Sequence, residues 1–340
     1  MFENFKAWYG RLVAGAKSRF TGWFRRKKRI ARGKWLSGKH RESSGSLVYA
    51  PLISPARAYR LYLPVDYHEE ERLPLIVMLH GCKQDPESFA AGTRLNLLAD
   101  RARFLVLYPE QTRFANPYRC WNWFDPSSHK GNGEAAIIAG MVRKVAKEQN
   151  IDPSRIYVAG LSAGGALTSA VASCYADMFA ACAVHSGLMF QAASSPNAAM
   201  PAMQNGSERD PDAAGESAYE LSGGKVHAMP VMVIHGDADD TVHPINAEQI
   251  VAQFLAMNKN APLFPFATRT SEKSNGNGYR YEIRDYGPTQ APSLRQITVK
   301  GMGHAWSGGN ASYPYNDPRG PDASAIMLEF FALHRRETSH

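Results

Sequence analysis

The stretch Arg155-Ile-Tyr-Val-Ala-Gly-Leu-Ser162-Ala-Gly-Gly165 decides the fold class of this chain. A β-branched and aromatic run ends in Gly160-x-Ser162-x-Gly164, and small residues compatible with a helix follow it. This order predicts a strand that turns sharply into a helix and holds Ser162 at the apex, as in a nucleophile elbow. The flanking glycines suit such a turn, because a side chain at either position would clash where the two arms approach each other. The short motif is common, so its context decides its meaning.

Short apolar runs on both sides of this stretch predict a mostly parallel central sheet. The runs lie at residues 73–79, 104–108, 179–184, 230–234 and 294–299. Continuous apolar runs of this length are typical of strands that are buried on both faces. Helical patterns separate several of them, as at residues 86–101 and 134–149. Strands that alternate with helices predict an α/β fold with helices on both faces of the sheet.

Composition divides the chain into a basic tail, residues 1–42, and one α/β domain, residues 43–340. The domain is predicted to open with a hairpin of residues 46–50 and 58–63, which alternate like half-buried strands. Two polar segments, about 189–224 and 264–286, are predicted to be insertions over the sheet edge that carries Ser162. The first is expected to form a lid, with an inert surface insertion as the alternative.

The net charge of +8 is concentrated in the tail. Residues 1–42 contain 13 lysines and arginines against two acidic residues, whereas the rest of the chain carries a net charge of −3. A nearly neutral body argues against a domain that binds nucleic acid. Apolar residues recur in the tail at steps of three and four, which predicts a basic amphipathic helix that binds an anionic membrane or polymer-granule surface. A disordered tail is the alternative.

The start of the chain is a poor match to an export signal. Its longest apolar stretch, residues 12–16, is shorter than the roughly 7–15 apolar residues of a signal peptide. No apolar run approaches the roughly 18 residues that cross a bilayer. We therefore expect no signal peptide, which favours a cytoplasmic or surface-associated location.

Two further motifs supply partners for Ser162. His235-Gly-Asp-Ala-Asp-Asp240 follows one predicted strand, and Gly303-His304 follows the last one. Serine, acid and histidine in this chain order are typical of the α/β-hydrolase triad. All three motifs lie at the carboxyl ends of strands, the edge where open α/β sheets build their sites. Three aspartates compete for the acid role, and one that does not fill it could cap the following helix: Asp237, Asp239 and Asp240.

These residues predict acyl transfer through a covalent intermediate. A neutral His304 accepts the proton of Ser162 as the hydroxyl attacks an acyl carbon, and the acid holds the imidazole in the required tautomer. The backbone N–H groups of Ala163 and Cys82 are the expected oxyanion donors. The same elbow serves peptidases, thioesterases and acyltransferases, which stay open as alternatives. A non-enzymatic binding domain anchored by the tail is a further alternative.

Several motifs together resemble one esterase family. They are His80-Gly-Cys82, Cys120-Trp-Asn-Trp-Phe124, Gly160-Leu-Ser-Ala-Gly-Gly165, His235-Gly-x-x-Asp239-x-x-Val242 and Gly303-His-Ala-Trp306. The chain thereby resembles the polyhydroxybutyrate depolymerase esterases, which also include feruloyl and acetylxylan esterases. The resemblance implies an α/β-hydrolase fold and a serine esterase acting on short-chain hydroxyalkanoate or related esters, with feruloyl- or acetylxylan-type carbohydrate esters as the alternative. It selects Asp239 among the aspartates.

The resemblance also implies features around the site. Trp306 is expected to line the substrate groove, and Trp123 to extend its apolar wall, with core packing as the alternative for Trp123. A disulfide between Cys82 and Cys120 is consistent with the family pattern, and the other two cysteines are expected to be small buried thiols. No cluster of histidine, cysteine and aspartate has the spacing of metal ligands, so neither a metal nor a cofactor is expected.

Overall fold

In a computed structural model, which describes residues 33–48, 55–224, 228–261 and 268–337, helices cover one large mixed sheet. Its strands, with the short pair β11 and β12, are β1 (Lys34–Arg41), β2 (Ala56–Leu63), β3 (Leu73–Leu79), β4 (Leu105–Pro109), β5 (Ile151–Leu161), β6 (Ala181–His185), β7 (Val231–Gly236), β8 (Thr268–Ser274), β9 (Arg280–Tyr286), β10 (Leu294–Val299), β11 (Trp306–Ser307) and β12 (Asn316–Asp317). The α-helices are α1 (Pro86–Thr93), α2 (Leu95–Ala102), α3 (Gly133–Glu148), α4 (Ala163–Cys174), α5 (Pro196–Asn205), α6 (Pro211–Leu221), α7 (Ile245–Asn258) and α8 (Ala323–Ala332).

The centre of the sheet is parallel and its two ends are antiparallel. Within the described residues the strand order is β1-β2-β4-β3-β5-β6-β7-β10-β9-β8. Strands β4, β3, β5, β6, β7 and β10 run parallel to one another. The β1–β2 hairpin closes one end, and the β8–β9 hairpin closes the other. The carboxyl ends of the six parallel strands therefore share one edge.

The central strands are buried on both faces, as their continuous apolar runs predict. In β3, Leu75 and Val77 pack in a core cluster with α3, α4 and α7. Ile76 and Met78 point to the opposite face, where they pack with α1, α2 and α8. Because neighbouring side chains of a strand alternate between faces, only a sheet covered on both sides buries the whole run. The predicted α/β-hydrolase architecture is confirmed.

The first strand of the sheet lies inside the stretch that the sequence assigns to the tail. Strand β1 pairs with β2 along its whole length, from Lys34 opposite Leu63 to Arg41 opposite Ala56. The hairpin predicted from residues 46–50 and 58–63 is wrong in its first strand, and the folded domain begins before residue 43. An outer strand tolerates lysine and arginine because much of it faces water. The charged residues of β1 therefore made this strand resemble part of the basic tail in the sequence.

Both polar segments form regular elements. The first lies at the active-site edge, where the carbonyl oxygen of Met203 accepts from His243 N–H at 2.8 Å in the loop after β7. Residues 189–224 contain α5 and α6, and α6 packs closely on α7: a Cβ atom at Gly215 would lie 2.4 Å from the carbonyl oxygen of Gln253. In the second segment, β8 and β9 form a hairpin, and β9 pairs with β10 and extends the sheet sideways. The first segment is thus a helical insertion, and the second widens the sheet at the end opposite β1.

No helix in the described part of the chain is long and apolar enough to span a membrane. The amphipathic helix predicted near the start of the chain lies outside the described residues, so its binding to an anionic surface stays a prediction.

Candidate active site

Ser162 occupies a sharp turn between β5 and α4. Its backbone has φ 58° and ψ −121°, a left-handed conformation that costs a non-glycine residue strain energy. The Ser162 N–H donates to the carbonyl oxygen of His185 at 2.9 Å, and its own carbonyl accepts from Ala166 N–H at 2.9 Å. The side chain is only 7% exposed. The turn therefore holds the hydroxyl in one place at the edge of the sheet.

The two motif glycines are required by close backbone approaches. A Cβ atom at Gly160 would lie 2.4 Å from the carbonyl carbon of Gly164. A Cβ atom at Gly164 would lie 2.1 Å from the carbonyl oxygen of Leu79, at the end of β3. Both distances are shorter than real Cβ contacts, so any side chain would push the helix away from the strands.

Asp239 contacts the candidate histidine from the loop after β7. Its Oδ2 lies 2.8 Å from His304 Nδ1 and 3.3 Å from His235 Nε2. Its Oδ1 accepts from the backbone N–H groups of Thr241 and Val242 at 3.0 and 2.9 Å. Burial acts to raise the pKa of this carboxyl, but the hydrogen bonds with the two histidines prevail and hold the pKa well below its usual range. Asp239 therefore stays ionised at neutral pH.

The two neighbouring aspartates face elsewhere. Asp237 Oδ1 accepts from Gly301 N–H at 2.6 Å, and its Oδ2 lies 3.5 Å from Lys300 Nζ. Asp240 Oδ1 accepts from the Thr241 hydroxyl at 3.4 Å. Both are exposed to solvent. Among the described aspartates, Asp239 alone makes a hydrogen bond with His304.

His304 follows Gly303 on the loop after β10, and Asp239 fixes its orientation. The contact between Asp239 and Nδ1 assigns the ring proton to Nδ1, which leaves Nε2 as the basic nitrogen. In the part of the chain that the structure describes, Ser162 Oγ and His304 Nε2 form no hydrogen bond with each other or with other groups. Hydrogen bonds of this kind are often long before a substrate binds.

His185, which no sequence motif marks, joins the serine turn to the histidine loop. Its carbonyl oxygen accepts from Ser162 N–H, and its Nε2 accepts from Ser307 N–H at 3.0 Å. Its ring stacks on Trp306 with 4.9 Å between the centroids. Burial lowers the pKa of His185 to about 3, so the ring is neutral and able to accept that hydrogen bond. The only sequence signal for it is its position at the end of a buried strand.

The loop after β3 approaches the serine. A Cβ atom at Gly81 would lie 3.6 Å from Ser162 Cβ. The loop amides at 81, 83 and 84 donate to other groups of the protein, whereas Cys82 N–H has no acceptor among the described residues. Ala163 N–H belongs to the first turn of α4, whose amides have no partner within the helix. Two backbone donors are therefore available next to Ser162.

The sulfur atoms of Cys82 and Cys120 are joined in a disulfide. It connects the loop after β3 to the loop that carries Trp121 and Trp123. The other two cysteines are free, and burial raises the pKa of the Cys174 thiol to about 12. Cys174 is therefore protonated and unreactive at neutral pH.

The two tryptophans expected along the substrate groove are buried. Trp306 is 2% exposed; its ring stacks on His185 and meets Phe89 edge-on, and its indole N–H donates to Ser324 Oγ at 3.2 Å. Trp123 is 5% exposed, and its ring lies against Phe124. Both side chains belong to clusters of buried hydrophobic residues inside the protein. Burial of Trp306 argues against the expected groove-lining role, and burial of Trp123 favours core packing.

No group of three histidine, cysteine, aspartate or glutamate side chains among the described residues could hold a metal ion.

The architecture defines the class of the protein. Six parallel strands covered on both faces, with a serine on the strained turn after one of the central strands, are the α/β-hydrolase fold. Among solved structures, an acetyl xylan esterase from Aspergillus awamori matches with a TM-score of 0.64 at 20% identity, over 82% of this chain and 94% of that chain. A feruloyl esterase module from Clostridium thermocellum matches at 0.53 and 14%, over 92% of both chains. These similarities concern the fold alone.

Sequence comparison identifies the family. The family described as esterase PHB depolymerase matches residues 57–274, more than half of the chain, and the chain belongs to this family. Poly(3-hydroxyalkanoate) depolymerase C of Paucimonas lemoignei is 33% identical over 234 residues, which are 68% of this chain and 54% of that protein. Feruloyl esterase B of Neurospora crassa is 32% identical over 203 residues, 57% of this chain and 68% of that protein. The match thus spans about half the length of the depolymerase.

Proposed function

We propose that this protein is a serine esterase that hydrolyses carboxylic esters, with Ser162 as nucleophile, His304 as general base and acid, and Asp239 as the orienting carboxylate. The observation that carries the proposal is the 2.8 Å contact between Asp239 and His304, on the same sheet edge as a serine held on a strained turn. The family and its esterase relatives support the reaction type. The first substrate candidates are short hydroxyalkanoate esters, because poly(3-hydroxyalkanoate) depolymerase C is among these relatives.

The proposed reaction has two halves. Ser162 Oγ attacks the ester carbon and its proton passes to His304 Nε2, which forms a tetrahedral intermediate. The oxyanion accepts hydrogen bonds from Cys82 N–H and Ala163 N–H. The carbon–oxygen bond to the alcohol breaks as His304 returns the proton to the departing alkoxide. Water then attacks the acyl-enzyme, with His304 again taking and returning one proton, and releases the acid and free Ser162.

Turnover of p-nitrophenyl acetate and p-nitrophenyl butyrate tests the reaction. The intact protein is expected to hydrolyse both, and Ser162→Ala is expected to lose nearly all activity. A matched control is Ser169→Ala, since Ser169 is buried on α4 and donates to the carbonyl oxygen of Leu188, away from the proposed chemistry. An inactive intact protein, or a Ser162→Ala variant as active as wild type, refutes the proposal. Hydrolysis of 3-hydroxybutyrate oligomers tests the first substrate class.

Carbohydrate esters are a second candidate, favoured by a groove beside the histidine. This groove, of about 710 Å³, is lined by His304, Tyr279, Tyr315 and Arg319, among others, and Ser162 is not part of its lining. Because His304 protonates the departing alcohol, the alcohol portion of a substrate lies on this side. The Arg319 guanidinium lies 4.6 Å above the Tyr279 ring, and the partly exposed Tyr315 has a left-handed backbone with φ 60°. Aromatic faces and charged hydrogen-bonding groups suit a polyhydroxylated alcohol.

The rates of hydrolysis of acetylated xylan, methyl ferulate and 3-hydroxybutyrate oligomers distinguish between the two candidate substrate classes. If the groove binds a sugar, Tyr315→Ala raises KM for acetylated xylo-oligosaccharides and leaves the hydrolysis of ethyl acetate unchanged. Equal effects on both substrates would argue against a sugar in this groove.

A further inference from the structure

A buried polar triangle lies behind the loop that carries Cys82. Arg57 on β2, Gln111 after β4 and Glu134 on the first turn of α3 are 1%, 0% and 0% exposed. Glu134 Oε1 accepts from Arg57 Nη2 at 3.1 Å and from Gln111 Nε2 at 2.5 Å, and Gln111 Oε1 accepts from Arg57 Nε at 2.8 Å. Taking a charged pair out of water is costly, and such a pair often adds little stability. Its presence at this place calls for another reason.

One set of contacts leads from the triangle to the peptide group of Cys82. Gln111 N–H donates to His80 Nε2 at 3.2 Å, which fixes the ring proton on Nδ1. His80 Nδ1 in turn donates to the carbonyl oxygen of Gly81 at 2.8 Å. That carbonyl belongs to the same planar trans peptide unit as Cys82 N–H, and the two groups point in opposite directions. Holding the Gly81 carbonyl therefore sets the direction of Cys82 N–H.

A second set of contacts leads to the disulfide partner of Cys82. Glu134 Oε2 accepts from Asn122 N–H at 2.6 Å, and Glu134 Oε1 accepts from Asn122 Nδ2 at 3.1 Å. Gln111 Nε2 also donates to the carbonyl oxygen of Cys120 at 3.0 Å. Cys120 is bonded to Cys82. Through Gln111 and Asn122, the Glu134 carboxylate is thus linked to both loops that the disulfide joins.

We propose that Glu134 is a positioning residue for the oxyanion hole, acting on Cys82 N–H through Gln111 and His80 and through Asn122 and Cys120. It touches neither the substrate nor the reacting atoms. The proposal rests on the assignment of Cys82 N–H as an oxyanion donor. Glu134 accepts four hydrogen bonds and donates none, so both of its carboxyl oxygen atoms act as acceptors. A glutamine at this position turns one acceptor into an NH₂ group that faces other donors.

Glu134→Gln is expected to lower kcat for p-nitrophenyl acetate by about 10²-fold, with KM nearly unchanged, because a lost oxyanion donor acts in the transition state. The inhibition constant of phenylboronic acid, which forms a tetrahedral adduct with a nucleophilic serine, is expected to rise in parallel with the loss of kcat/KM. Far-UV circular dichroism and thermal unfolding establish that the variant is folded. Glu134→Asp, which keeps the charge on a shorter side chain, is expected to lie between wild type and Glu134→Gln.

Asp285→Asn is the matched control, since Asp285 also forms an ion pair with an arginine, Arg295, at a site remote from Cys82. It is expected to lower stability and leave kcat unchanged. A folded Glu134→Gln variant with wild-type kcat overturns the proposal. If that variant does not fold, Glu134→Asp decides: reduced kcat with unchanged KM supports the proposal, and wild-type kcat overturns it. Absence of activity in the wild-type protein would instead refute the esterase assignment itself.

Discussion

Asp239→Asn tests the proposed acid through the hydrogen bonds that the structure gives it. In the native protein, Oδ1 accepts from two backbone N–H groups, those of Thr241 and Val242. An asparagine at this position places its carbonyl oxygen there, because an NH₂ group cannot accept from those donors. The NH₂ group then occupies the Oδ2 position, 2.8 Å from His304 Nδ1 in the native protein. It can only donate, so Nδ1 becomes the acceptor and the ring proton moves to Nε2.

A His304 with its proton on Nε2 cannot take the proton of Ser162. A reversed histidine tautomer of this kind lowers kcat by about 10⁴-fold, which corresponds to about 5.5 kcal/mol of transition-state stabilisation. Steady-state kinetics with p-nitrophenyl butyrate measure the loss, and thermal unfolding verifies that the variant is folded. KM is expected to change little, because the tautomer affects chemistry and not binding of the ester.

Asp237→Asn is the matched control two residues away. Asp237 Oδ1 accepts from Gly301 N–H on the protein surface, a contact that an amide oxygen retains. Its activity is expected to stay within about twofold of wild type, because exposed ion pairs such as that with Lys300 contribute little. Similar losses in both variants, or a loss in Asp237→Asn alone, would contradict the assignment of Asp239.

Three further changes are predicted. Burial lowers the pKa of His80 and His334 to about 4, below the ordinary value near 6.5, so between these two pH values only the unfolded chain binds the protons. The free energy of unfolding should therefore fall on acidification, by up to about 1.4 kcal/mol per pH unit for each histidine. Urea titrations at about pH 7.5 and about pH 5 measure this change. An unchanged urea midpoint would contradict this linkage. Gly164→Ala should yield little folded protein, since its Cβ atom would meet Leu79 O at 2.1 Å; native-like yield and circular dichroism would refute that steric argument. Cys120→Ser opens a disulfide that joins residues 38 apart and should cost about 4 kcal/mol in urea unfolding and lower kcat. Wild-type kcat in this variant would show that the disulfide does not hold the Cys82 loop.

The parts of the site that follow strand ends could be predicted from sequence. Ser162, Asp239 and His304 lie one, three and five residues after the ends of β5, β7 and β10, and the apolar runs of these strands are visible without knowledge of the fold. The choice among the three aspartates needed the family resemblance, because loop spacing does not specify which carboxylate reaches the histidine. The structure supplies that contact directly.

What the sequence could not indicate depends on tertiary neighbours. Trp306 next to a candidate histidine suggests a groove wall, yet its ring is enclosed by His185, from β6, and Phe89, from α1. The role of His185 likewise depends on two loops that meet only in the folded chain. Strand β1 was concealed for a different reason: its lysines and arginine resemble the charged residues before it, although Trp35 packs on Tyr62 with ring centroids 5.1 Å apart. The composition of these residues favours a solvated tail, but their pairing with β2 makes them a strand of the sheet.

The outer strands β1 and β8 also bear on how copies of the protein behave together. Their outward-facing backbone has no neighbouring strand in the described part of the chain, and an open edge of this kind can template a strand from another molecule. Strand β1 carries Lys34, Lys39 and Arg41, and β8 is polar along its whole length and largely exposed. Two molecules that met along β1 would bring lysines and arginines opposite one another, and their repulsion would oppose the pairing. The strand that completes the sheet thereby resists aggregation by sheet extension in a concentrated solution.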